Sequence, residues 1–186
     1  MKSIQLSESF GMLFVDEVSL IKEIAKLLPQ SAVCINFGAG FGTSAIALIE
    51  ERNDLSETFY SIDMREGGPF GGLENERNAF FDSGMIHLLP LQILGDSSAV
   101  GREWDGTKKI DYVFIDGDHF GEKLTEDING WLPHLNIGGY VLFHDYESEH
   151  WDDVKEVIDR VIRPQMEFIK HSKTLIAFKK IDELNL

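Results

Sequence analysis

The densest chemistry in the chain is Asp116-Gly117-Asp118-His119, two carboxylates and an imidazole within four residues, directly after the apolar run Ile110 to Ile115. Packing does not explain such a cluster, because a buried charge is costly unless paired or bound to a cation. A second apolar run, Tyr140 to Phe143, stops as abruptly in His144-Asp145. If the two runs are neighbouring parallel strands, Asp116, His144 and Asp145 meet, and oxygen ligands with one nitrogen suit a hard divalent cation such as Mg²⁺. The alternative is a helix-capping Asp145 beside a hydrogen-bonded His144.

A separate feature lies upstream. In Val33 to Ser44, VCINFGAGFGTS, an apolar run ends at Gly38, Gly40 and Gly42. Glycine tolerates positive φ and lets a ligand approach the main chain, while Thr43 or Ser44 can cap the helix that follows, so the loop suits a nucleotide-like ligand. Many strand-to-helix turns hold glycine for steric reasons alone, so the triplet is weak evidence by itself. Asp63 follows about twenty residues past the last loop glycine, where a carboxylate can accept both hydrogen bonds of a ribose diol. A solvated turn aspartate is the competing reading. Gly95, Asp96 and Ser97 could meet an adenine edge, although Asp-Ser is also an ordinary helix cap.

These residues need elements that bring them to one place, and the chain alternates helical and extended patterns. Val18, Ile21, Ile24, Leu27 and Leu28 recur at helical spacing until Pro29. Thr43 to Arg52, Glu74 to Ser83, about Glu122 to Leu135 and Asp152 to Val161 read as helices. Strands are expected from Val33, at Phe59 to Ile62, Leu88 to Leu94, Ile110 to Ile115 and Tyr140 to Phe143, the last entered by a turn at Gly138-Gly139. Met64 to Gly72 reads as a mobile, glycine-rich loop. Met166 to Lys170 and Thr174 to Lys179 are joined too closely for a parallel crossover and must form an antiparallel hairpin. The fold expected is α/β, a mostly parallel sheet with one reversed strand near its edge. Such a sheet places ligands at the carboxyl ends of its strands.

Composition narrows the partners. The 186 residues suit a single domain, 1–186, with an N-terminal helical or lid segment over 1–30 and a core over 31–186. Seventeen Lys and Arg against 32 Asp and Glu give a formal charge of −15, which repels nucleic acid and anionic membrane. No apolar run approaches a bilayer span, the first residues lack a signal-peptide pattern, and Cys34 is the lone cysteine, so a cytoplasmic location is expected.

VCINFGAGFGTSAIALIE, FYSIDM, ILGDSS, DYVFIDGDH and WLPHLNIGGYVLFHDY together resemble class I S-adenosylmethionine-dependent methyltransferases, in particular small O-methyltransferase-like proteins with IDGDH and HDY at these strand ends. The likeness runs from about Ser31 to Tyr146. It implies a Rossmann-like three-layer αβα sandwich whose seven-stranded sheet ends in an antiparallel C-terminal strand. It also implies that Gly38, Gly40 and Gly42 contact the methionine part of the cofactor, Asp63 its ribose and Asp96 with Ser97 its adenine. Asn36, Thr43, Ser44, Met64 and Asp116 complete that expected cofactor site. In metal-dependent relatives resembling catechol O-methyltransferase, Asp116, His144 and Asp145 occupy the cation positions and His119 that of the catalytic base. Asn36 departs from the pattern: it stands where the family commonly has an acid that offsets the cofactor's positive charge.

The reaction so implied is O-methylation of a small hydroxylated acceptor, a sugar or a phenol, with S-adenosylmethionine and Mg²⁺ or another divalent cation. The acceptor pocket would be built from Ser7 to Phe14, Met64 to Gly72 and Glu147 to Trp151, with Phe70, Tyr146 and Trp151 as flat walls. Exposed aromatics there would favour a homo-oligomer. The rivals are a methyltransferase-like binding protein that has lost activity and an NAD-dependent oxidoreductase. The latter would want G-x-G-x-x-G, whereas here the third glycine comes one residue early.

Overall fold

The structure is a computed structural model and describes residues 2–10 and 12–186. Two helices, α1 (Lys2–Phe10) and α2 (Val15–Ala25), precede an alternating series: β1 (Cys34–Phe37), α3 (Thr43–Glu51), β2 (Phe59–Asp63), α4 (Leu73–Asp82), β3 (Leu91–Leu94), α5 (Ser97–Glu103), β4 (Ile110–Ile115), α6 (Gly121–Trp131) and β5 (Leu135–Phe143). Then come α7 (Asp152–Val157), which runs into a wider turn over Ile158–Ile162, and the hairpin β6 (Glu167–Ser172) and β7 (Leu175–Lys179).

The seven strands order as β3-β2-β1-β4-β5-β7-β6, and β7 is antiparallel to both of its neighbours. One reversed strand among six of common sense is the expected architecture. Strand alternation divides the core cleanly. Cys34, Phe59, Tyr112, Phe114 and Leu142 face α2, α3 and α4, whereas Ile35, Phe37, Val113, Val141 and Phe143 face α6 and α7. β4 is buried along almost its whole length on both faces, which accounts for its unbroken apolar run. No helix among the described residues is long and apolar enough to cross a membrane.

Several elements differ from expectation. β5 begins at Leu135, because Gly138 and Gly139 sit inside the strand; Gly138 takes φ 92°, and the register against β4 shifts between Ile110 and Tyr112. Leu88 falls in a short 3₁₀ turn and β3 starts later, at Leu91. Leu27 lies past the end of α2 and is exposed. The segment expected to be mobile is pinned where it ends: the Gly72 N–H donates to Gly40 O at 2.9 Å, and Leu73 and Glu74 bond back to Arg65 and Glu66. At Gly71 a Cβ would lie 2.3 Å from the Gly40 backbone, so this loop crosses directly over the glycine turn.

Candidate active site

Parallel strands bring their carboxyl ends to one rim, and hydrogen bonds stitch those ends together in order. Gly95 N–H donates to Asp63 O, Gly38 N–H to Ile62 O, and His144 N–H to Ile115 O. Between β1 and β4 the approach is so close that a Cβ at Gly38, where φ is 76°, would lie 2.0 Å from Asp116 O. The glycine turn and the carboxylate cluster therefore stand side by side on this rim.

On the β1–β2 side the expected residues are largely backbone-bound. Asp63 Oδ2 accepts from Ala39 N–H at 2.9 Å and Oδ1 from Arg65 N–H at 2.8 Å, which fixes the carboxylate at the tip of β2. Asn36 is buried and accepts from the Ser44 hydroxyl at 2.9 Å. Thr43 and Ser44 open α3 behind Gly42, and Met64 points into solvent. Asp96 caps α5 by accepting from Ala99 N–H at 2.9 Å, and the Ser97 hydroxyl donates to Asp127 of α6 at 2.5 Å. Asp96 thus forms the helix cap named as its alternative, while Ser97 ties α5 to α6. Beneath this side lies an acid absent from the sequence reading: Glu76, wholly buried on α4, accepts from Ser61 at 2.8 Å and Gln92 at 2.7 Å. Burial pushes its carboxyl up to about 7.

On the β4–β5 side the side chains bond to one another. Asp116, His144 and Asp145 offer ligand atoms all within 4.8 Å of each other. His144 Nδ1 lies 3.2 Å from both Asp116 Oδ1 and Asp145 Oδ2. Asp145 adopts φ 58°, a left-handed conformation that aspartate takes more readily than most non-glycine residues. His119 Nε2 sits 2.6 Å from Asp145 Oδ2 and 3.6 Å from Asp116 Oδ1, and its ring stacks on Trp151 at 4.8 Å and 16°. That Nε2 contact is an ion-pair approach without hydrogen-bond alignment.

Glu17 and Thr174 complete the cluster, and the sequence reading missed both. Glu17, wholly buried on α2, places Oε2 3.4 Å from His144 Nε2, and its Oε1 accepts from the Thr174 hydroxyl and N–H at 2.8 Å each. A signal for Glu17 existed: it stands three and four residues before Leu20 and Ile21, on the apolar stripe of its helix. The electrostatics follow. Burial opposes ionisation throughout, yet Asp116, Asp145 and Glu17 hold His144 well above the usual imidazole range, and Asp116 and Asp145 raise His119 to about 9. Reciprocally, the histidines keep Glu17, Asp116 and Asp145 below the usual carboxylate range against burial.

The donor set fits a divalent cation: two carboxylates and one imidazole converge, and the far nitrogen of that imidazole faces a carboxylate, the arrangement that orients histidine ligands. Of the expected acceptor walls, Phe70 and Trp151 are exposed, but Tyr146 is buried, with its hydroxyl held by Asp159, Lys155 and Arg163, and cannot line a pocket. The expected Ser7 to Phe14 wall includes Gly11, which lies outside the described residues; beside it Phe10 stacks on Phe41 of the glycine turn at 4.1 Å. A groove of about 580 Å³ between α6 and α7 contains none of these strand-end residues.

Comparison with known proteins bears on the same stretch. A family model described as a methyltransferase domain matches residues 35–146. Curated relatives include Uncharacterized protein R132 of Acanthamoeba polyphaga mimivirus, 35% identical over 54 residues, and Uncharacterized protein y4gI of Sinorhizobium fredii, 24% identical over 151 residues. These matches cover 28% and 76% of this chain but only 24% and 16% of those proteins. Among solved structures, the O-methyltransferase TomG from Streptomyces achromogenes, in complex with SAM, superposes with a TM-score of 0.68 at 17% identity, covering 96% of this chain and 88% of that one. At that identity the likeness establishes the fold.

Proposed function

The chain belongs to the methyltransferase domain family, and from that premise we propose that it is an S-adenosylmethionine-dependent O-methyltransferase acting on a small hydroxylated acceptor, a phenol or a sugar. The observation that carries this reading is the contact of the Gly38 turn with Asp116, which sets a cofactor loop against a cluster of base and cation ligands. The SAM complex of the TomG neighbour supports the choice of cofactor.

Methyl transfer forms a bond from the acceptor oxygen to the methyl carbon as the carbon–sulfur bond breaks, and the acceptor hydroxyl loses its proton. The protein's work is alignment and deprotonation. On this reading Asp63, fixed by two backbone N–H groups, would accept from the ribose hydroxyls, and the glycine turn would hold the methionine part. Asp116, His144 and Asp145 would hold a divalent cation. When bound there, such an ion supplies the charge that acidifies a neighbouring hydroxyl. His119, stacked on Trp151, would accept the proton at Nε2. Asp116 and Asp145 keep that imidazole charged in the cation-free chain, so base catalysis requires those carboxylates to be engaged elsewhere first.

The test is transfer of a labelled methyl group from S-adenosylmethionine to a panel of phenols and sugars, with divalent cation present. His119→Ala should lower turnover by about 10²–10⁴-fold at saturating cofactor, with cofactor affinity retained. Unchanged turnover would remove His119 from the mechanism. A second reading, a binding protein without turnover, is favoured by Asn36, which leaves the end of β1 uncharged. Cofactor binding with no transfer across the panel would select it.

A further inference from the structure

We propose that Glu17 is a positioning residue that presents His144 as a nitrogen ligand, and that this chain's cation site therefore prefers a borderline first-row divalent ion such as Co²⁺ to Mg²⁺. The inference rests on the cation-assisted reading above and adds which ion the site selects and which residue sets the choice.

The argument begins with the two nitrogens of one ring. His144 Nε2 lies 3.4 Å from Glu17 Oε2 and 3.3 Å from the Thr174 hydroxyl, so a carboxylate faces that edge of the ring. A proton held there makes Nδ1 the nitrogen that gives its own proton up when a metal binds, and Nδ1 is the atom that looks toward Asp116 Oδ1 and Asp145 Oδ2, 3.2 Å from each. A cation in place of that proton would then meet three donor atoms. The ring has little freedom to do otherwise. Its side chain is 8% exposed, its backbone N–H is tied to β4, and Glu17 is fixed in turn by the N–H groups of Phe14 and Thr174.

A carboxylate held against the distal nitrogen is the device that sets the tautomer of histidine ligands and raises their basicity. Ligand type then decides the ion. Carboxylates suit Mg²⁺, which dehydrates reluctantly and favours oxygen, whereas imidazole suits the later first-row metals, whose affinity for nitrogen rises along the series. A site with two carboxylates and a buried, oriented imidazole belongs to the second class.

The experiment is calorimetric titration of the full chain, stripped of metal by chelation, with CoCl₂ and with MgCl₂, read alongside the ligand-field absorption of Co²⁺. Wild type should bind Co²⁺ at least about tenfold more tightly than Mg²⁺ and show a nitrogen-containing ligand-field band. Glu17→Gln keeps the shape and the cap of α2 but weakens the orienting charge. It should reduce Co²⁺ affinity by about 10–100-fold and shift the band. His144→Asp, which leaves oxygen ligands alone, should narrow the preference for Co²⁺ over Mg²⁺ and remove the nitrogen contribution to the band. If Glu17→Gln fails to fold, Thr174→Val, which removes the hydroxyl shared by Glu17 and His144, is read for the same loss.

Equal affinity of wild type for the two ions, or Co²⁺ binding and absorption unmoved by these substitutions, would overturn the inference while leaving cation assistance intact. Binding of neither ion would overturn both. A parallel titration with S-adenosylmethionine alone keeps either failure distinct from that of the methyltransferase reading.

Discussion

Glu17 and Glu76 are both wholly buried acids on helices that pack over the same face of the sheet, and they ionise in opposite directions. Glu17, under the β4–β5 half, has the His144 ring beside it and is held below the usual carboxylate range. Glu76, under the β1–β2 half, bonds the amide of Gln92 and the hydroxyl of Ser61, both neutral, and burial raises it to about 7. Depth alone therefore does not set the charge of a buried acid; the partner does. The comparison also divides the rim by charge. One half sets backbone N–H groups and neutral side chains around the carboxylate of Asp63, and the other gathers Asp116, Asp145 and Glu17 about two imidazoles.

The largest effect should come from removing the cation that makes the halves differ. His144→Leu leaves the buried Glu17 without the positive charge beside it and should cost about 3–5 kcal/mol of unfolding free energy at neutral pH, measured by urea denaturation, with the deficit shrinking as acid protonates Glu17. A loss below 1 kcal/mol would mean that Glu17 finds another partner or water. Next comes Glu76. Its folded value near 7 lies above the ordinary 4.5, so the proton it carries stabilises the fold fully below about pH 4.5, and that contribution falls away as pH rises through 7. At 1.4 kcal/mol per unit the change approaches about 3 kcal/mol. Glu76→Gln, which cannot ionise, should lose less Tm between pH 5 and pH 8 than wild type and should be the more stable protein at pH 8. Parallel Tm curves would erase the contrast with Glu17. The smallest effect is expected at Asp96, whose role is a cap: Asp96→Ala should cost about 1 kcal/mol through fraying of α5. A much larger loss, or a loss of cofactor affinity without one of stability, would return Asp96 to the cofactor site.

Strand ends were legible because an apolar run that stops at a charge marks itself; Asp63, Asp116, His144 and Asp145 were all found that way. The parallel strands followed from the alternation of helical and extended patterns and the antiparallel hairpin from its short connection; that β7 is its reversed member was implied by the family resemblance. Helix α5 escaped because Ser97 to Glu103 carries almost no periodic apolar signal, and β5 was read short because Gly138-Gly139 looks like a turn and is a bulged strand start. The buried acids escaped for a common reason. Glu17, Glu76 and Asp127 each occupy the inward stripe of a helix, beside Leu20 and Ile21, Leu73 and Phe80, and Leu124 and Ile128 respectively. An acid on such a stripe is a visible anomaly, but its partner is not. Thr174 is 157 residues from Glu17, and no local pattern links them.

The central claim is that one rim joins a cofactor cradle to the charged cluster, and cofactor titration tests it most directly. Calorimetry of wild type and Asp63→Ala with S-adenosylmethionine and, separately, with NAD should show one-to-one binding of the sulfonium cofactor alone, weakened at least about tenfold in the variant, the loss of a charged hydrogen-bond acceptor. Binding of NAD in its place, or S-adenosylmethionine affinity untouched by removal of the Asp63 carboxylate, would contradict it.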